Sequence, residues 1–316
     1  MKEEVLTHTI VVMGTIVTIQ VAGSTSDSPQ KVHREETIER AFGWFRHIED
    51  CCTRFNPQSE SMQLTARIGV SVPVSPVLYE AVAFALAVAE ESGGAFDPTV
   101  GYTMQARGFN REYSTGQVVQ TDIEPGGDVS YRDVCLDPER KAIALLRPLI
   151  LDLGAVAKGL AIDMAAQELR SFPSFAINAG GDLYLGGFNP EGSPWSIGIR
   201  HPREDDALID TVVVSNRAVC TSGDYERRNS GEDKGHHIID PRTGASAHAV
   251  ASVTVVAQTA MLADALATAA FVLGPENGIQ LLERMGVDGL IVSTALDRYE
   301  TRGMSIDYKP GASAIL

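Results

Sequence analysis

This sequence contains no apolar run long enough to cross a bilayer, no cysteine pair at metal-ligand or redox spacing, and little positive charge. Each absence excludes something. Against 41 acidic residues stand only 26 Lys and Arg, a net charge of −15, which argues against non-specific nucleic-acid binding. A phosphorylated ligand would then need a metal cation or a local cluster of basic side chains. Cys51, Cys52, Cys135 and Cys220 show no CxxC and no zinc spacing, so they read as reduced thiols. Adjacent Cys51 and Cys52 are poorly placed to bridge each other. Met1-Lys2-Glu3-Glu4 leads straight into a strand-like segment, without signal peptide or lipoprotein box. The expectation is a cytoplasmic protein with no membrane span, unless a leader has been removed. Neither a P-loop nor a GxGxxG pattern is present, and no Pro/Ser linker or internal repeat divides the chain.

What is present is an ordinary globular composition, 44% hydrophobic over 316 residues, enough for one large domain or two closely joined ones. His8 to Val21 alternates like a strand, with Met13-Gly14-Thr15 marking a bulge or a close backbone approach. Gly23 to Gln30 is polar and reads as a loop. Ile38, Ala41, Phe45, Ile48, Cys52 and Phe55 recur at helical steps, predicting an amphipathic helix over Glu35 to Phe55, closed by Asn56-Pro57. Ser75-Pro76 starts a second, alanine-rich helix running to about Ser92. Ser92 to Gly101 is turn-rich, and Asp97 before Pro98 reads first as a turn cap. Gly108 to Glu139 is irregular and hard to assign.

Ile143 to Leu151 is apolar and short enough for a buried strand. Behind it, Asp152-Leu153-Gly154 opens a helix carrying Val156, Leu160 and Met164 at helical spacing as far as Leu169. A strand ending in Asp followed by a helix start gathers unpaired N–H groups at one point, and Lys158 adds charge there; such a corner suits a phosphate, and is equally an ordinary strand-to-helix corner. Phe175 to Ala179 and Leu183 to Leu185 are short strands around Gly180-Gly181-Asp182, either a hairpin turn or a place where a flat ligand lies on backbone. With Trp195 to Ile199 and Thr211 to Val214, the pattern predicts an α+β fold.

Three polar clusters follow. Thr221 to Arg227 comes directly after the strand Ala218-Val219-Cys220. His237 to Gly244 outlines a tight turn carrying an imidazole, with neighbouring His236 read as solvent-facing. Asp264 and Thr268 sit four apart, on one face of an alanine-lined helix that ends near Gly274-Pro275. With a carbonyl from elsewhere they would form an oxygen site for a hard cation such as Mg²⁺; alternatively, Asp264 is a helix N-cap and Thr268 merely packs.

The order of these segments from Met13 to Gly274, including Arg54-Phe55-Asn56-Pro57 with Ser59-Glu60, resembles the ApbE family, the FAD:protein FMN transferases. That resemblance implies a bilobed α+β fold of mainly antiparallel sheets with flanking helices, ApbE-like and T-fold-like. It also implies a single domain over residues 1–316 made of two closely joined lobes, with FAD as substrate in the cleft between them. It implies Mg²⁺, for which Mn²⁺ would fit the same ligands, held by Asp264, Thr268 and the backbone oxygen of Ala155. Met13, Phe55, Ala95, Phe96 and Asp97 would line the flavin and adenine pockets. Asp152 and Lys158 would contact the cofactor; Asn178, Gly180, Gly181 and Asp182, with Ser222, Gly223 and Asp224, would complete the cleft. His237 and Asp264 would take the catalytic roles, with His237 also near the cofactor, although the general base stays open between His237 and a carboxylate. The implied reaction moves FMN onto a Ser or Thr hydroxyl of an acceptor protein and releases AMP. After Ser59-Glu60 the family has Leu-Asn, whereas this chain has Leu64-Thr65, which bears on transfer against plain hydrolysis. The competing functions are an FAD pyrophosphatase and a non-catalytic FAD-binding protein.

Overall fold

In a computed structural model, residues 3–24, 28–113, 115–121, 123–124, 127–226 and 235–304 are described. The alternating segment around Met13 is two strands rather than one. β1 (Glu3–Val12) and β2 (Thr15–Ser24) pair antiparallel with Val12 opposite Thr15. Met13 and Gly14 have φ of 53° and 68°, the two left-handed residues that a tight hairpin turn matching strand twist requires. The expected bulge is therefore a chain reversal.

The chain continues through α1 (Ser28–Cys52), α2 (Glu60–Thr65), β3 (Val72–Pro73), α3 (Pro76–Glu91), α4 (Gly101–Ala106), β4 (Val134–Asp137) and β5 (Ala142–Leu145). It then forms α5 (Gly154–Leu169), β6 (Ser174–Ala179), β7 (Asp182–Gly187), β8 (Trp195–Arg200), β9 (Leu208–Val214) and β10 (Arg217–Gly223). Last come β11 (Val250–Ala257), α6 (Ala260–Leu273), α7 (Pro275–Arg284), β12 (Asp288–Ser293) and β13 (Arg298–Glu300).

Three expectations shift. α1 starts inside the segment read as a loop, whose residues 25–27 lie outside the described ones, and it stops three residues before Phe55. The apolar run from Ile143 breaks after Leu145, because Pro148 offers no N–H and Leu146 points outward. β4 lies within the stretch that could not be assigned. By contrast, α3 follows its signals: the Ser75 side chain accepts the Leu78 N–H, and Pro76 opens the helix.

The main sheet has eight strands in the order β1-β2-β6-β7-β10-β11-β12-β13, and every adjacent pair is antiparallel. Helices cover one face, where Phe42, Phe45, Ile48, Ile162, Leu266 and Phe271 are fully or almost fully buried. Each such side chain contributes about 1.5–3 kcal/mol of burial. On the other face the β8–β9 ribbon closes a smaller core of Trp195, Ile197, Ile199, Leu185 and Val292. A three-stranded sheet, β3-β5-β4, forms a separate layer, and α2 and α3 pack against α1. The architecture is the expected α+β arrangement of mainly antiparallel sheets with flanking helices.

Two contacts set α5 against α6. A Cβ added at Gly159 would lie 2.5 Å from Met261 Cα and 2.6 Å from Ala260 O, so the backbones meet there. One turn later, the Asp163 carboxylate accepts the N–H groups of Ala260 (2.7 Å) and Met261 (3.0 Å), satisfying two orphan donors of α6 from a neighbouring helix. Burial pushes the Asp163 carboxyl up to about 6, although those two N–H groups pull it back. The folded chain therefore holds this proton more tightly than the unfolded chain does between pH 4 and 6. Asp163 thus makes stability fall as pH rises through that window, by on the order of 2–3 kcal/mol. In Asp163→Asn this contribution should vanish, flattening the pH dependence of the urea midpoint between pH 4 and 7. An unchanged slope would discount the buried-carboxyl account.

Candidate active site

One end of the main sheet gathers most of the residues singled out in the sequence. Antiparallel pairing of β2 with β6 places the Met13-Gly14 turn beside Gly180-Gly181, and Gly180 N donates to Ile16 O at 3.1 Å. Gly180 and Gly181 have φ of 64° and 97° and link Ala179 to Asp182, so this pair is also a tight hairpin turn. A larger residue at Gly180 would be strained by the positive φ and would displace the Thr15 side chain, whose Oγ1 lies 2.2 Å from where a Cβ would fall. Asn178 Oδ1 accepts the Gly181 N–H at 2.9 Å and stiffens the turn. Asp182 Oδ1 accepts the Thr221 N–H at 2.9 Å, bringing the end of β10 to the same place.

Lys158 is the hub. From the second turn of α5 its ammonium meets Asp264 Oδ2 at 2.9 Å and forms a close ion pair with Asp182 Oδ2. All three side chains are at least four-fifths buried. Buried charges are tolerated when paired, and here two carboxylates share one ammonium, leaving a local charge of −1. Asp264 is not a helix N-cap: Thr259 occupies that position, accepting the Leu262 N–H, and Asp264 lies in the second turn. One turn further on, Thr268 Oγ1 and Ser222 Oγ are 3.2 Å apart, so α6 and β10 present hydroxyls together. Ala155 is half-buried in the first turn of α5.

This donor set suits a hard cation: a buried carboxylate, two hydroxyls and residual negative charge. Among the described residues no three His, Cys, Asp or Glu side chains cluster as a self-sufficient metal cage. A small divalent ion here would take its remaining ligands from water or from substrate oxygens, as Mg²⁺ does with phosphates.

The aromatic and loop residues gather around the end of α1 and the head of α5. Met13 N donates to Glu49 Oε1 at 2.8 Å, pinning the first hairpin turn to the end of α1. Phe55 follows α1 and is half-buried, with the Arg54 guanidinium 4.3 Å from its ring centroid. Asp152 is held by Arg54 Nε at 2.6 Å and by the Gly154 N–H at 2.9 Å. Its carboxylate thus caps the start of α5 while paired to a cation. Ala95 and Phe96 are buried, and the Ser92 hydroxyl accepts the Phe96 N–H at 3.0 Å. Asp97 spends its carboxylate internally, one oxygen on Thr99 N–H (2.9 Å) and hydroxyl (2.7 Å), the other on Tyr131 N–H (3.0 Å). It shapes the turn, and burial raises its pKa.

Asp224 is clamped by Arg203 through two 2.7 Å contacts, and Gly223 packs its backbone against the Tyr225 ring. Arg227, the last residue of that cluster, lies outside the described residues. His237 is half-buried on the turn closed by Asp240 O accepting the Gly244 N–H at 2.9 Å. The expectation for His236 is corrected: it is buried, with Nε2 2.6 Å from Ala247 O and its ring 5.5 Å from that of Phe271. Packing of the turn onto α6 decides this, and no local pattern announces it. Thr65 turns its hydroxyl back onto its own helix, to Met62 O at 2.6 Å. Ser59 caps α2 and Glu60 holds Ser75 at the head of α3, so this pair is scaffold.

Sequence reasoning did not anticipate the pairing of Arg54 with Asp152, although Arg54 stands beside Phe55, and missed Asp163 altogether. A charged residue next to a singled-out aromatic was the available signal for Arg54.

The ApbE family matches residues 13–291 of this chain. A FAD:protein FMN transferase of Treponema pallidum is 32% identical over 309 residues, covering 89% of this chain and 82% of the relative. Its counterpart in Haemophilus influenzae is 28% identical over 301 residues, covering 90% and 84%. The crystal structure of the ApbE protein of Thermotoga maritima superposes with a TM-score of 0.80 at 31% identity, covering 95% of this chain and 97% of that one. With the family match spanning most of the chain and the fold shared throughout, this protein belongs to the ApbE family.

Proposed function

We propose that this chain is an enzyme, an FAD:protein FMN transferase that moves FMN from FAD to a Ser or Thr hydroxyl of an acceptor protein and releases AMP. The observation that carries the reading is the Lys158–Asp182–Asp264 cluster beside the Ser222 and Thr268 hydroxyls. It is an oxygen-rich, net-negative locus at a sheet end built from two glycine hairpins, inside a family whose relatives carry this name.

In this reading Asp264, Thr268 and the Ala155 backbone hold Mg²⁺, which when bound neutralises pyrophosphate charge and stabilises the leaving AMP. Lys158 is placed to reach a phosphate oxygen. Phe55, Met13 and the Ala95-Phe96 segment bound the flat rings. Asn178 to Asp182 and Ser222 to Asp224 shape the opposite wall. His237 or a carboxylate takes the proton of the acceptor hydroxyl as that hydroxyl's oxygen bonds to the FMN-side phosphorus. The bond from that phosphorus to the bridging oxygen breaks, and the electron pair leaves with AMP. Positioning and charge neutralisation carry most of the rate, with the base adding about 10²–10⁴-fold. No described helix is long and apolar enough to span a membrane, and cytoplasmic action on a cytoplasmic acceptor is part of the proposal.

Incubation with FAD and Mg²⁺, with and without a Ser/Thr-bearing flavin-acceptor domain, tests the reading by intact mass and nucleotide analysis. The expected products are an acceptor heavier by one FMN and free AMP. Free FMN and AMP in equal amounts, with the acceptor unmodified, would favour a pyrophosphatase. Unchanged bound FAD would favour a carrier.

A further inference from the structure

We propose that Arg54 is a positioning residue for the flavin nucleotide: it backs the Phe55 ring and fixes it as a platform for a flat heterocycle of FAD. The inference rests on the proposed FAD-dependent function and adds a residue to it. Three contacts lock the guanidinium. Its Nε donates to Asp152 Oδ2 at 2.6 Å, its Nη2 donates to the Phe109 carbonyl, and its Cζ lies 4.3 Å from the Phe55 ring centroid.

The Arg54 side chain is 9% exposed, so its charge has left water and depends on these partners. A planar cation on one face of an aromatic ring is attracted by the ring quadrupole, and more strongly once desolvated. One ring face is thereby occupied by protein. Phe55 as a whole remains half-buried, leaving its ring able to meet a second flat group. The same guanidinium ties together segments that are remote in sequence. Asp152 caps Gly154 at the head of α5 and donates its own N–H to Pro98 O at 2.7 Å, in the segment that carries Phe96 and Asp97. Arg54 also neutralises Asp152, which would otherwise set a carboxylate charge beside an incoming pyrophosphate.

The test compares the parent with Arg54→Met, Arg54→Lys and the double variant Arg54→Met/Asp152→Asn. FAD, FMN and AMP are titrated separately in EDTA, with flavin fluorescence or calorimetry as readout, and thermal melting is run alongside. Arg54→Met should weaken FAD binding about tenfold or more. Arg54→Lys, which keeps charge without the planar stack, should recover only part of that loss. The double variant should recover thermal stability, because the orphaned carboxylate is gone, while its FAD binding stays well below that of Asp152→Asn alone; a purely structural role predicts that binding returns with stability. Should Arg54→Met not fold, the double variant against Asp152→Asn gives the same comparison without an unpaired buried charge. Loss for FMN but not AMP places the flavin on Phe55, and the converse places the adenine; either supports the platform. Binding of FAD within twofold of the parent by Arg54→Met would overturn it. A parent chain that binds no FAD either in EDTA or with added Mg²⁺ would instead overturn the proposed function, and this inference with it.

Discussion

Asp264→Ala is expected to lower AMP release from FAD by on the order of 10³-fold or more, while the protein still folds. Both halves follow from its place on α6. Asp264 is the carboxylate of the candidate cation locus, beside Thr268 and Ser222, and its removal takes away the local net negative charge. The fold does not depend on it. α6 begins on the Thr259 side chain and on the Asp163 carboxylate, and Lys158 keeps Asp182 as partner. Truncation also relieves a buried charge instead of stranding one, so the melting temperature should move little. Thr268→Ala, which removes a neutral donor, should cost far less than Asp264→Ala. AMP release by chromatography, with a thermal melt on the same sample, checks the pair. Undiminished release from Asp264→Ala would sink the assignment of the cation locus.

Gly159→Val should be strongly destabilising, on the order of 3 kcal/mol. Added carbon at this position has nowhere to go. The obstacles are Met261 Cα, Ala260 O and Met261 N at 2.5–2.6 Å, all backbone of α6, so no side-chain rotation can make room. Accommodation must move α6 against α5, which also shifts Asp264 relative to Lys158, so catalysis should fall together with stability. The control is Gly43→Ala. Gly43 lies within α1 and an added Cβ there meets nothing within 4 Å; helix propensity alone should make it stabilising by about 0.5–1 kcal/mol. Urea unfolding of the two variants separates close backbone approach from the general effect of filling a glycine. Equal effects at both positions would discount the crossing geometry.

Much of the local structure was legible because it is written in neighbouring residues. Ser75-Pro76 specified the start of α3, and the four-residue spacing of Asp264 and Thr268 put both on one helical face. The Met13-Gly14 reversal was not read, because two β-branched strands flanking a turn look like one strand in which a glycine marks a bulge. Only the pairing register, with Val12 opposite Thr15, distinguishes them. Similarly, Gly180-Gly181 left hairpin and ligand platform open until the antiparallel register of β6 with β7 showed the turn.

The site itself divides the same way. Sequence alone marked the four longest helices, among them the alanine-lined acidic one, the strands from β6 to β10, and the ordered segments that carry the family resemblance. Periodicity, caps and turn residues act over a few positions and leave local marks. Tertiary structure alone decided the partners of the buried charges: Lys158 with Asp264, 106 residues away; Arg54 with Asp152, 98 away; Asp163 with the N-terminus of α6, 97 away. It also decided that His236 is buried and that Asp97 and Thr65 turn their polar atoms inward. A charged side chain leaving water must find an opposite charge or a set of donors, and where that partner stands depends on how helices cross and strands pair. No spacing rule along the chain encodes it.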